Sequence, residues 1–324
     1  MLSRVAHRIY WMARYVERAE NTARLINVNT HLLLDLPRRA TPGWEPLIEI
    51  TGGEVLFHEI YSEPTERNVV RFLIGDAQNP GSILSSLVQA RENARTIRDI
   101  IPREAWEQIN GLYLSVKTGI QPALSSRRRH DFLRELIMSV QQITGLLAGT
   151  MTHDHGYDFL RMGRNLERAD MTTRIIDVRS ADLLPSESGE LSPFETIQWM
   201  SVLKSLTAYQ MYRREVQGPV RRRAVLEFLF RSAKFPRAVY HCLGEVESCL
   251  HDLPRNDAPL RTLAHLQRTV QEAPLESLEQ RDLHTFIDGL QAGLAGLDHQ
   301  VGATYFGFEE PRAGAEPEPS PSAA

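Results

Sequence analysis

Apolar residues recur along this chain at intervals of three and four almost throughout, the period of helices with one buried face, and strand-like alternation is nearly absent. From residue 4 to about residue 34 there is neither Gly nor Pro, and the run stops before Pro37. This predicts a first helix of roughly 30 residues and about 45 Å. Further helix starts are expected at Asn79-Pro80, Ile101-Pro102 and Ser192-Pro193, because proline at the first helical position lacks only an N–H that would be unpaired there. Ser192-Pro-Phe-Glu195 and Ser277-Leu-Glu-Gln280 have the spacing of capping boxes. Breaks are expected at 37–43, at Gly52-Gly53, at 119–126, and across 182–192, a stretch rich in Ser, Pro and acidic residues that reads as an exposed loop. Helical patterning covers about 1–310, whereas 311–324 has too little apolar content to pack and is expected to be a disordered tail.

The pattern repeats. Sliding the chain by 150 residues lays MARYVERAENTARLINV, from Met12, over MGRNLERADMTTRIIDV, from Met162, with roughly half the positions identical. Arg14, Glu17, Arg18, Ala19, Thr22, Arg24 and Ile26 recur as Arg164, Glu167, Arg168, Ala169, Thr172, Arg174 and Ile176. At a slightly larger shift Val69-Val-Arg-Phe-Leu73 meets Val225-Leu-Glu-Phe-Leu229, Pro80 meets Pro236, and Trp44 approaches Trp199. The expected fold is therefore all-α, a helical bundle of two tandem multi-helix repeats, about 1–150 and 151–310, related by a pseudo-twofold axis.

On one face of the first long helix lie Arg14, Glu17, Asn21 and Arg24, with Arg18 on the neighbouring stripe. The second copy offers Arg164, Glu167, Met171 and Arg174, with Arg168 beside them and Asp170 flanking. Three readings compete. The clusters could be a solvated face of weak i, i+4 ion pairs, yet such a face has no reason to recur while its neighbours diverge. They could be buried braces that fix how two long helices cross. Or they could line a polar pocket in which arginines hold a carboxylate or phosphate in fork geometry and Glu17 or Glu167 handles a proton. The candidate substrate-binding residues are thus Arg14, Glu17, Arg18, Asn21, Arg24, Arg164, Glu167, Arg168, Asp170 and Arg174.

Composition narrows the classes. The chain has 324 residues, 42% of them hydrophobic, enough for a real core without a metal or disulfide staple. A net charge of -4 gives no basic footprint and argues against nucleic acid. Of 37 basic residues only Lys117, Lys204 and Lys234 are lysine, leaving 34 arginines, from composition bias or from pairing in geometries that lysine does not match. Cys242 and Cys249 lie two helical turns apart, too far to bridge, and read as reduced core thiols. Arg4, Arg8 and Arg14 interrupt any signal-peptide core, and no stretch supplies a membrane span, so a cytoplasmic protein off the membrane is expected.

Other chemistry is thin. His153-Asp154-His155 could ligate a metal, but the Glu-x-x-His pairs of a di-iron bundle are missing, as is any partner motif for Glu54 and His58. No Gly-rich phosphate loop or nucleophile elbow stands out. No metal or cofactor is expected. The tracts Arg127-Arg-Arg-His130, Arg213-Arg214 and Arg221-Arg-Arg223 read as solvated helix ends or a docking patch.

Several motifs in order match a known family. Ser3-Arg-x-Ala6 leads into Tyr10-Trp-x-x-Arg-Tyr-x-Glu-Arg-Ala-Glu-x-x-Ala-Arg24; then come Asn79-Pro-x-Ser82, Ala90-Arg-Glu-Asn-Ala-Arg95, Trp106-Glu-x-x-Asn110 and Phe159-Leu-x-x-Gly-Arg-x-Leu-Glu-Arg-Ala-Asp170. Together they resemble the bacterial alpha-E domain family over about residues 1–308. One departure is visible, Pro236-Arg-Ala238 standing where the first copy has Pro80-Gly-Ser82. The resemblance implies neighbours or fusion partners of two kinds, a circularly permuted ATP-grasp protein and a transglutaminase-like peptidase. That set suggests ATP-dependent amide-bond synthesis or modification of a peptide. Within it the chain would be a substrate-binding or accessory subunit, an enzyme acting on the peptide through its Arg/Glu clusters, or a structural scaffold.

Overall fold

The computed structural model describes residues 1–35, 43–181 and 192–307. All but the last residue of the expected loop at 182–192, most of the break at 37–43, and the tail lie outside the described residues. Within them the chain is helical, with 14 α-helices and no strand. In chain order these are α1 (Ser3–Asp35), α2 (Glu45–Ile50), α3 (Glu54–Ile60), α4 (Glu66–Gly75), α5 (Ile83–Thr96), α6 (Arg103–Ala123), α7 (Ser126–Thr150), α8 (His155–Ala181), α9 (Ser192–Ser205), α10 (Tyr209–Glu215), α11 (Arg222–Arg231), α12 (Val239–Asp252), α13 (Asp257–Glu272) and α14 (Gln280–Val301). A π-turn, Gly302–Phe306, closes the described chain.

The two longest helices, α1 and α8, pack on each other at the centre. Around α1 lie α5, α7 and α9; around α8 lie α12, α14 and α2; α6 and α13 form an outer layer. Small and branched residues make the central contact, with Ala19, Ala23, Ile26, Ala169 and Ile176 all fully buried. At its tightest point Gly163 faces the Tyr10 carbonyl, and a Cβ on Gly163 would stand 2.3 Å from that oxygen. Any larger residue there would force these backbones apart.

Because both central helices are enclosed, neither presents the solvated stripe expected of a surface helix. Arg14, Glu17, Glu20, Asn21, Thr22 and Asn29 on α1 are buried, as are Asn165, Glu167, Thr172 and Arg179 on α8. The solvated-face reading of the clusters is therefore excluded. Buried polar groups must pair, and the next subsection traces how.

Several helix ends differ from expectation. Ser82 caps α5 by accepting from Ser85 N at 3.1 Å, so Pro80 sits in the preceding turn and not at the first helical position. Pro102 is itself the N-cap of α6. Ser277 does not cap α14, which starts after Glu279; its hydroxyl instead donates to Pro274 O at 3.1 Å. The box at Ser192 rests on side chains outside those described. Cys242 and Cys249 are free and buried on α12, and burial pushes both thiols up to about 12, where they stay protonated and inert. No described helix is long and apolar enough to cross a membrane.

Candidate functional site

The paired glutamates meet at the α1–α8 crossing, and each faces the other helix's arginines. Glu167 on α8, 1% exposed, receives Arg14 Nε at 2.9 Å and a fork from Arg18, with Nε to Oε1 at 2.6 Å and Nη2 to Oε2 at 3.0 Å. Glu17 on α1, 2% exposed, has Arg168 Nε at 3.1 Å and Arg237 Nη1 at 2.6 Å from its Oε1. The two clusters are thus reciprocal ion pairs between helices.

Each pair has a third contributor that the repeat alone did not reveal. On the Glu167 side, Asp298 of α14 accepts from Arg14 Nη1 at 2.6 Å and from the Tyr10 hydroxyl. Trp11 and Tyr15 add faces for Arg14, at 4.9 Å, and Arg18, at 5.6 Å. On the Glu17 side, Arg237 enters from just before α12 and donates to Asn21 Oδ1 at 2.7 Å and to Glu20 at 3.1 Å. The departure at Pro236-Arg-Ala238 is therefore a gain of one guanidinium. It is also a loss of one cap, since Ala238 caps α12 with no side-chain bond where Ser82 caps α5.

Not every candidate residue joins the crossing. Arg24 pairs along its own helix with Glu20 at 2.6 Å, and Arg174 with Asp170 at 2.9 Å, both i, i+4. Arg18 sits with Arg14 on one carboxylate and is not a bystander on a neighbouring stripe. Arg164 lies near Glu17 yet makes no hydrogen bond among the described residues. Signals existed for Arg237 in the broken match to Gly81. None existed for Asp298, since the shift that carries His130 onto His284 sets it against an uncharged residue, Thr144.

The electrostatics follow the geometry. Burial pushes the Glu17 carboxyl upward, but Arg168 and Arg237 more than offset it and hold it at about 2. Burial likewise opposes Arg14 and Arg18 at Glu167, and the arginines again win, leaving its pKa below the usual range. Both carboxylates stay ionised at neutral pH, unlike a general base tuned near 7. A depressed carboxylate contributes stability that is complete above its unfolded pKa and is lost as pH falls through the folded value. The stabilisation from Glu17 should therefore be flat above about 4.5 and decline between there and about 2. Urea midpoints measured across that range should fall for the wild type, with a smaller fall in Glu17→Gln.

The remaining candidates have structural partners. Asp154 caps the start of α8 by accepting from Gly156 N at 2.8 Å, while His153 stacks on Tyr157 at 3.9 Å. Glu54 and His58 are exposed on α3. Among the described residues one group of metal-type donors converges, Asp177, His284 and Asp288. His284 Nδ1 lies 2.8 Å from Asp177 and Nε2 lies 3.5 Å from Asp288. The hydrogen bond and charge of Asp177 raise the imidazole pKa.

Comparison with known proteins agrees with the ER dipeptides at Glu17-Arg18 and Glu167-Arg168. The Alpha-E family, described as a predicted alpha-helical domain with a conserved ER motif, matches residues 1–306. The chain belongs to the Alpha-E family. It is similar to uncharacterised proteins of Mycobacterium tuberculosis and Mycobacterium bovis, each 23% identical over 315 residues that cover 91% of this chain and 34% of theirs. This Alpha-E chain thus spans about a third of the length of the curated relatives it matches. No solved structure matches it.

Proposed function

We propose that this Alpha-E chain is a binding or accessory subunit of an ATP-grasp-dependent system that makes or modifies amide bonds in a peptide. Its partners are a circularly permuted ATP-grasp protein and a transglutaminase-like peptidase, and it works in the cytoplasm. The ER clusters brace the scaffold and leave chemistry to the partners. One observation carries this reading over the enzyme alternative: both glutamates are enclosed and already paired to two arginines each. A carboxylate so held lacks the pKa to take up a proton at neutral pH.

The braces belong to a fold that we read as two copies of one unit meeting at α1 and α8. Recurring contacts support this. His130 sits on Asn27 at 2.9 Å, and His284 on Asp177 at 2.8 Å, each joining a long central helix to the last helix of its half. The greater length of the relatives leaves room for a fused partner domain, in keeping with a subunit role.

The test is co-purification of the chain with a circularly permuted ATP-grasp protein and a transglutaminase-like peptidase from the same source, with mass spectrometry of the product formed with ATP. The subunit reading predicts a complex, a product that needs the ATP-grasp protein, and no turnover of the co-purified peptide by the chain alone. Turnover by the chain alone, or no association at low salt, would contradict it.

A further inference from the structure

The two halves of the crossing differ in charge. On one side Arg14 and Arg18 meet Glu167 and Asp298, two cations against two anions. On the other, Arg164, Arg168 and Arg237 surround Glu17 and Glu20, and Glu20 is shared with Arg24 at 2.6 Å. The guanidinium left over is Arg164. Its Nε is shut off from solvent and has no hydrogen-bond partner among the described residues. Burial and the neighbouring Arg168 both lower its pKa, as expected of a cation short of counter-charge.

The sequence counterpart of Arg164 is Arg14, which shows what is missing. Arg14 is completed by the Asp298 carboxylate, itself held by the Tyr10 hydroxyl. The shift that carries His130 onto His284 carries Thr144 onto Asp298, so the corresponding place beside Arg164 holds a hydroxyl in place of a carboxylate. Tyr10 is likewise replaced by Leu160. Where those side chains would reach, the structure leaves a cavity of about 20 Å³ lined by Glu17, Thr144 and Arg164, with Met12, Leu147 and Leu160 as apolar wall. That is room for one water or the head of a carboxylate. Glu17 also faces it; its Oε1 makes no hydrogen bond among the described residues, but Arg168 and Arg237 lie close enough to neutralise its charge.

We propose that the cavity at Arg164 is a binding site for a peptide carboxylate, carried on a small apolar residue, which takes the place that Asp298 fills beside Arg14. Arg164 and the Thr144 hydroxyl hold the oxygens in the cavity, which has no room for the stem, so the rest of the ligand stays at its mouth beside the half-buried Arg164 and Thr144. The site deepens the peptide-binding role proposed above and rests on that reading for the source of the carboxylate.

The experiment titrates the isolated chain with N-acetylalanine, with its uncharged amide N-acetylalaninamide, and with inorganic phosphate, by calorimetry. The acid should bind wild type at least tenfold more tightly than the amide or phosphate, and Arg164→Gln should lose at least tenfold in affinity. Thr144→Asp supplies the carboxylate internally, and should abolish binding of the acid while raising Tm. Should Arg164→Gln fail to fold, Thr144→Asp decides alone. Equal binding of acid and amide, tighter binding of phosphate, no binding of the acid, or undiminished binding to Thr144→Asp would each overturn the site. No partner enters this measurement, so its failure is separable from failure of the subunit reading.

Discussion

Glu167→Gln is expected to lower the unfolding free energy by about 3–5 kcal/mol, the typical cost of removing one partner from a buried ion pair. The change leaves Arg14 and Arg18 facing a neutral amide with one acceptor oxygen in place of two, with Arg14 still held by Asp298 but Arg18 deprived of one bond of its fork. Arg18 has some solvent to turn to, since its side chain is 26% exposed, whereas Arg14 at 11% has little. The loss should therefore fall on both arginines: Arg18 loses the charge it is paired with, and Arg14 keeps only Asp298. Urea denaturation of the two proteins at pH 7 measures it, and a change below about 1 kcal/mol, the range of surface pairs, would mean the pair is far more hydrated than the geometry indicates.

Gly163→Ala is the second large effect, and its sign is set by competing terms. Alanine in mid-helix gains about 1 kcal/mol over glycine. Against this, the added Cβ would stand 2.3 Å from the Tyr10 oxygen and 3.1 Å from its carbonyl carbon. Those are backbone atoms of α1 that no rotamer change can move aside, so the helices must separate across the whole crossing. Overpacking of this kind costs about 1–3 kcal/mol, and more where backbone is displaced. A net loss of about 2 kcal/mol is expected in urea denaturation. Gly145→Ala on α7, where a Cβ meets nothing within 4 Å, is the control and should be neutral or stabilising.

The sequence made the helical class and the first helix legible for plain reasons. A run free of Gly and Pro over three dozen positions has few alternatives, and α1 runs Ser3–Asp35 as that pattern requires. The repeat likewise singled out Glu17 and Glu167 before any geometry was known. What it did not disclose was which residues face which. Arg24 and Arg174 share a helical face with the glutamates, yet each found an acid one turn away, because an i, i+4 pair along one helix competes directly with a reach across the crossing. Asp298 was invisible because its role depends on where α14 docks, and nothing in its local pattern fixes that. Ser277 failed as a cap because α14 starts two residues later, after Glu279, leaving its hydroxyl to donate to Pro274 O in the preceding turn. A side chain that bonds the backbone of a preceding turn leaves no trace in spacing.

The burial of α1 and α8 is the larger lesson for function. Recurrent charged residues on a helix invite a reading as catalytic groups, but enclosure decides between a brace and an active group. Here the arginines reach the glutamates from the opposite helix, and the charges are consumed in holding α1 against α8. Only Arg164 is left over.

The most direct test of the brace is a double-mutant cycle on Arg18 and Glu167, using Arg18→Met, Glu167→Leu and the combined variant, with unfolding free energies from urea denaturation. The account predicts that each single change destabilises, and that the double variant recovers at least about 2 kcal/mol relative to the sum of the singles, because it removes the Arg18 charge that Glu167→Leu alone strands, while Arg14 keeps Asp298 in every variant. Additive losses, with a coupling energy near zero, would contradict it and return the glutamates to the list of groups held for another purpose.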